Sequence, residues 1–140
     1  MNVHHTKQKG DLAVFKAQLD LYQQGWWVAI PLTENAPFDL IINKNGVSKT
    51  IQVKYSSAKN GAFPANFRAS WADKNGSHVT HINKELIDLY CIYCPDTDEC
   101  YYIDPKQFSN INQVSFRLIV PKNNQTKNVY WAKDYKIVPD

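Results

Sequence analysis

An Asn45-Gly46 pair set between two apolar runs constrains this chain more than any other feature. Asn-Gly suits the two-residue turn whose central positions need φ > 0, so it predicts a tight β-hairpin. With Asn45 and Gly46 as the loop, Lys44 faces Val47, and opposed residues carry numbers that add to 91. Asp39 then stands directly across from Gln52. Side chains alternate faces along a strand, so Lys54 projects on the same side, one diagonal step away. Phe38, Leu40, Ile51 and Val53 fall on the opposite face, where a core would take them. One hairpin thereby gathers an acid, an amide and an amine over an apolar floor, which is how a metal-dependent phosphodiesterase site can be built.

Composition narrows the setting. At 140 residues, 44% of them hydrophobic, the chain reads as one globular domain, 1–140, with enough apolar material for a sizeable core. The longest apolar runs, residues 26–30 and 89–94, are too short to span a bilayer. No charged-then-apolar leader opens the chain, which predicts a cytoplasmic protein with no membrane partner. A net charge of +3 permits a nucleic-acid partner without demanding one. Three cysteines, Cys91, Cys94 and Cys100, are an odd number and argue for reduced thiols. A zinc site on Cys91 and Cys94, completed by His78 or His81, is disfavoured, because the two cysteines would face opposite sides of one strand.

The order of elements is coherent. Thr6 or Asp11 caps a first helix reaching about Gln24, with Gly25 as its stop. Leu12, Phe15, Leu19 and Tyr22 recur at helical spacing and form its expected buried stripe. Residues 27–32 read as a short strand, and 38–55 as the hairpin. Residues 56–80 read as a long polar connection, broken by Gly61, Pro64 and Gly76, with Trp71 assigned to core packing. A second strand pair follows at 86–94 and 99–103, joined through Pro95-Asp96-Thr97-Asp98. Pro105 to Phe108 suggests a helical turn, 114–120 an apolar run and 121–128 a polar loop. Helix, clustered strands and mixed elements predict an α/β (α+β) domain built on a mixed sheet flanked by helices.

Pro37-Phe38-Asp39 with Gln52-Val53-Lys54 resembles the signature of the PD-(D/E)XK nuclease superfamily, with Gln in the second acidic position. The opening Thr6-Lys7-Gln8-Lys9-Gly10-Asp11, the run Leu89-Tyr90-Cys91-Ile92-Tyr93-Cys94-Pro95, Tyr101-Tyr102-Ile103 and Trp131-Ala132-Lys133-Asp134-Tyr135 extend the resemblance over most of the chain. Its Gln-X-Lys form is most similar to the homing endonucleases of that superfamily encoded within bacterial group I introns. The resemblance implies a restriction-endonuclease-like core and hydrolysis of double-stranded DNA. Its chemistry needs a nucleophilic water and stabilised charge at phosphorus, both of which a divalent cation supplies. Mg²⁺ (or Mn²⁺) takes oxygen ligands. Asp39 is the principal ligand so implied, with the Gln52 side-chain oxygen and the Val53 carbonyl beside it. Lys54 orients or deprotonates the attacking water, or stabilises the charge at phosphorus. The family's usual helix-borne Glu matches Val14 here, and Asp11, three residues earlier, is the expected substitute.

DNA contact is expected from Lys59, Arg68 and Lys74 in the middle segment and from Arg117, Lys122, Asn123, Asn124, Gln125 and Lys127 in the C-terminal third. Lys and Arg supply phosphate affinity that falls with salt, while Arg, Lys, Asn and Gln read base edges. Residues from about 105 to 140 are thus expected to add DNA-contacting and assembly elements. A subunit this small implies a homo-oligomer, dimer or tetramer, on a near-palindromic target. Two further readings share the residues: a structure-selective Holliday junction resolvase-like nuclease, and a DNA-binding module with a decayed site.

Overall fold

The computed structural model describes residues 6–73, 75–81, 86–108, 111–120, 123 and 129–139. Asn45 and Gly46 both take left-handed φ, 53° and 82°, and form the expected turn. It joins β2 (Leu40–Lys44) to β3 (Val47–Tyr55), with pairs running from Lys44↔Val47 to Leu40↔Ile51. The register is the one read from the sequence.

That hairpin is the middle of a five-stranded mixed sheet. Strand β1 (Trp27–Ala29) lies antiparallel on the outer side of β2. Three short strands follow β3 in the chain: β4 (Ala62–Asn66), β5 (Arg68–Asp73) and β6 (Gly76–His81). The chain then returns as β7 (Leu89–Cys94), parallel to β3, and turns antiparallel into β8 (Glu99–Ile103). The order across the sheet is β1-β2-β3-β7-β8. The stretch expected as a polar connection therefore holds strands. Its alternation is short and interrupted by Pro64, a residue that suits a sheet edge and hides a strand signal. Strand β4 pairs with β9 (Gln113–Arg117), which also takes β10 (Tyr130–Trp131), so β4 is indeed an edge.

Each face of the main sheet has its own cover. Helix α1 (Thr6–Gln23) packs Ala13, Ala17 and Leu21 against Leu40, Ile42, Ile51, Val53, Leu89, Cys91 and Tyr102. On the other face, Tyr90, Ile92, Cys94, Tyr101 and Ile103 meet Phe63 and Ala65 of β4 and Val114 and Phe116 of β9. Among the described residues, α1 is the one α-helix on the main sheet. The small sheet, with 3-10 turns at Pro105–Phe108 and Ala132–Tyr135, stands where a second flanking helix was expected.

The helix stripe also differs from the expected one. Phe15, Leu19 and Tyr22 are exposed, while small Ala13 and Ala17 let the helix lie close on the sheet. The apolar residues of α1 thus occupy two faces, and the bulky Phe15, Leu19 and Tyr22 face outward. Strand β1 stops at Ala29, three residues short of its expected end, because its partner β2 begins at Leu40 and Ala29 already pairs with Ile41. The three cysteines are free and buried. Cys91 belongs to the α1 side and Cys94 to the other. No described helix is long and apolar enough to cross a membrane.

Candidate active site

Where β2 meets β3, the ladder departs from its even pattern. With Leu40 paired to Ile51, an undistorted strand would aim the Asp39 N–H away from β3. Instead it donates to the Ile51 carbonyl at 2.9 Å. Asp39 and Leu40 both address Ile51, which is a β-bulge, a device common beside active sites because it re-aims one side chain. The expected direct opposition of Asp39 and Gln52 is therefore not made. The Asp39 carboxylate occupies the next ladder position, where Oδ2 accepts the Val53 N–H at 2.8 Å. The Val53 carbonyl leaves β3 on that same side, since a residue's N–H and C=O share one strand edge. Phe38, displaced by the same bulge, is half-buried beside this edge and is not part of the core expected to take it.

Gln52 and Lys54 are half-buried on the opposite face from Val53. Burial pushes the Asp39 carboxyl above its ordinary 3.8, outweighing the Val53 N–H and the Lys54 charge, which both lower it. Burial likewise holds Lys54 below its ordinary 10.5, although the Asp39 charge opposes that shift. The two side chains sense each other without forming an ion pair. An oxygen set of carboxylate, side-chain amide and backbone carbonyl suits a hard divalent cation. Among the described residues no group of three His, Cys, Asp or Glu gathers as a metal site, so Asp39 is the carboxylate on which such a set depends.

The helix contributes less directly. Val14 packs half-buried against the core of α1 and the sheet. Asp11 is exposed and has no hydrogen bond or ion pair to Asp39, Gln52 or Lys54. Near it, Lys9 lies 5.7 Å over the Tyr55 ring, so the helix start reaches the end of β3 that follows Lys54. Sequence reading missed Glu34, which lines a hollow of about 260 Å³ together with Asp39 and Phe38. Nothing in its loop, between Pro31 and Pro37, has a periodicity that would have marked it.

The expected DNA contacts are scattered. Lys59 is exposed in the loop closing onto Ala62. Arg117 ends β9, its Nε donating to the Ile119 carbonyl at 3.2 Å. Asn123 is exposed. Arg68 and Trp71 belong to β5 by backbone, but their side chains, like those of His78 and His81, lie outside the described part. Lys74, Lys122, Asn124, Gln125 and Lys127 lie outside the described residues. Arg117 shares a cleft of about 280 Å³ with Trp131, Lys133 and Lys136, none of which the sequence had singled out for DNA contact. Lys136 is ion-paired to Glu99 at 2.8 Å, and Lys133 lies 5.9 Å over the Trp131 ring. Because Cys94 pairs with Glu99 and Tyr55 with Tyr93, this cleft opens at the end of the sheet where β3 finishes.

Residues 4–138 match a family model described as PD-(D/E)XK endonuclease. Among solved structures, the chain is similar to a bacterial homing endonuclease, I-Ssp6803I. The TM-score is 0.74 at 23% sequence identity, over 94% of this chain and 88% of that one. At such identity the likeness concerns the fold. No curated protein matches the chain.

Proposed function

The chain belongs to the PD-(D/E)XK endonuclease family, and from that premise we propose that this nuclease cuts double-stranded DNA at a specific sequence, in a homing role. Asp39, Gln52, Val53 and Lys54 form its site. The observation that carries this reading is the bulge. It seats the Asp39 carboxylate at the edge shared with the Val53 carbonyl, and leaves Lys54 near but unpaired. A divalent cation held by Asp39, the Gln52 oxygen and the Val53 carbonyl, Mg²⁺ or Mn²⁺ by the hardness of its donors, supplies Lewis-acid stabilisation of charge at phosphorus.

The protein's own residues do the rest. Lys54, with its pKa held down by burial, exchanges a proton with the attacking water more readily than an exposed lysine and hydrogen-bonds the scissile phosphate when charged. Asp39 fixes the geometry through Val53. Asp11 is the outer acidic member, on the helix end that reaches Tyr55 through Lys9.

The homing role rests on the Gln-X-Lys form of the motif and on the fold likeness to I-Ssp6803I. The cleft of Arg117, Lys133 and Lys136 offers phosphate contacts at the same end of the sheet as Lys54, and Lys59, Arg68, Lys74, Lys122, Asn123, Asn124, Gln125 and Lys127 complete the DNA-facing set. One domain spans 1–140, its last third adding DNA-contacting and assembly elements. Self-association is supported by exposed Phe15, Leu19, Tyr22 and Trp27, with Tyr22 and Trp27 edge-to-face at 6.5 Å. Four such side chains outside the core form the kind of patch that a subunit interface covers.

A randomised-insert plasmid library tests the reading directly. Wild-type protein with Mg²⁺ should cut at one long motif, while EDTA and Lys54→Ala should abolish cutting. Binding without cleavage would mean a decayed site, and cleavage confined to four-way junctions would mean a resolvase.

A further inference from the structure

Tyr90 is fully buried, yet its hydroxyl has no hydrogen-bond partner among the described residues. A buried polar group left unpaired is costly, and each such group in a native fold calls for a physical account. Tyr90 is the direct register partner of Gln52 across the parallel β3–β7 pair. The two side chains leave the sheet side by side on one face, from strands about 4.8 Å apart. Gln52 makes no side-chain hydrogen bond either among the described residues. Two residues with unpartnered polar groups are therefore cross-strand neighbours on one face, one of them a proposed ligand.

An amide has a problem that a carboxylate lacks. Either oxygen of a Glu can face a cation, whereas a Gln must present Oε1 and send its NH₂ elsewhere. That NH₂ needs an acceptor, and the phenol oxygen of Tyr90 is one without a competing donor. We propose that Tyr90 is a positioning residue for Gln52: when a cation is bound, its hydroxyl accepts a hydrogen bond from Gln52 Nε2 and so keeps Oε1 turned toward the cation. Gln in the second acidic position is then usable because the neighbouring strand holds it in one orientation. The inference rests on the reading of Gln52 as a ligand.

Tyr90→Phe, Gln52→Glu and the double variant test it, with three readouts. The first is Ca²⁺ affinity on DNA, by calorimetry. The second is the Mg²⁺ concentration giving half-maximal cleavage, and the third is the Gln52 side-chain amide resonance in the Ca²⁺–DNA complex. Tyr90→Phe should weaken cation affinity about 10-fold, the lower end of what loss of a ligand-orienting partner costs. It should move the Gln52 amide signal and leave the metal-free melting temperature no lower, since the hydroxyl has no partner to lose. In the Gln52→Glu background the same change should do nothing, because a carboxylate needs no orientation. Equal weakening in both backgrounds, or a large drop in melting temperature, would overturn the proposal by making Tyr90 a packing residue. Tighter cation binding in Gln52→Glu with no effect of Tyr90→Phe would overturn it alone. Unchanged metal dependence in Gln52→Glu would remove Gln52 as a ligand, and the proposal with it.

Discussion

Replacing Asp39 separates two jobs that one carboxylate performs. Its Oδ2 takes the Val53 N–H at 2.8 Å, so Asp39→Ala removes an acceptor from a half-buried strand edge as well as a ligand. Leaving a buried N–H unpaired costs about 1–3 kcal/mol, and partial solvent access puts this site at about 1–2 kcal/mol. For a domain of this size, that lowers the melting temperature by about 3–10 °C. Asp39→Asn keeps an oxygen for Val53 and discards the charge. Because burial raises the Asp39 pKa, its ionised form burdens the metal-free fold at any pH above that raised value. Asp39→Asn should therefore be at least as stable as wild type at neutral pH. That advantage should fade as the pH falls toward 3.8, where the wild-type side chain is neutral in both the folded and unfolded chain. Both variants should lose cleavage. Melting curves across pH, with and without Mg²⁺, and a plasmid-cutting assay read all of this. Equal, wild-type-like melting of the two variants would refute the ladder role, and cleavage by Asp39→Asn would refute the ligand role.

Other outcomes follow from the same geometry. Lys54 should titrate below 10.5 by NMR in metal-free protein. Asp39→Asn should push it lower still, since the Asp39 charge is what opposes the fall. Leu19→Glu combined with Trp27→Glu places charges on the exposed stripe and should convert an oligomer to monomers by light scattering, with little change in melting temperature because both side chains are exposed. Ca²⁺ affinity measured calorimetrically should rise by about 10-fold or more on adding target DNA, a coupling of about 1.4 kcal/mol.

The hairpin was the part of the fold written most plainly in the sequence. Asn45-Gly46 fixes the turn, the turn fixes register, and register fixes which of residues 40–55 share a face. The strand pair at Leu89–Cys94 and Glu99–Ile103 was legible for a similar reason: its tight turn carries Asp98 at a left-handed φ of 52°. What escaped is what depends on distant partners. A bulge at Asp39 leaves no trace in residue type, because it arises from how β2 ends against β3. Helix α1 buries its small residues, and periodicity scored by size selects the wrong face. Strands β4 to β6 are too short for alternation to rise above a polar background, and β4 becomes a strand because β9, some fifty residues later, pairs with it. The hydroxyl of Tyr90 reads as one more core aromatic until its register partner is known.

The charge balance of the site bears on how it works. Two carboxylates close together cannot both ionise cheaply, and a buried pair would resist the metal-free fold. Gln52 and Val14 avoid that cost, at the expense of cation affinity. Burial makes Asp39 harder to ionise than an exposed carboxyl, and Lys54 harder to protonate than an exposed lysine. With Asp39 as the one carboxylate directly at the β3 edge, the proposed site is poorly suited to retaining Mg²⁺ alone, since that ion commonly depends on substrate phosphates for part of its coordination. A scissile phosphate brings the missing negative charge, so cation and DNA each strengthen the binding of the other. A nuclease assembled in this way is least active when off DNA and most complete on a target that seats the phosphate correctly. On the proposed reading, a neutral Gln52 ligand contributes to specificity as well as to stability.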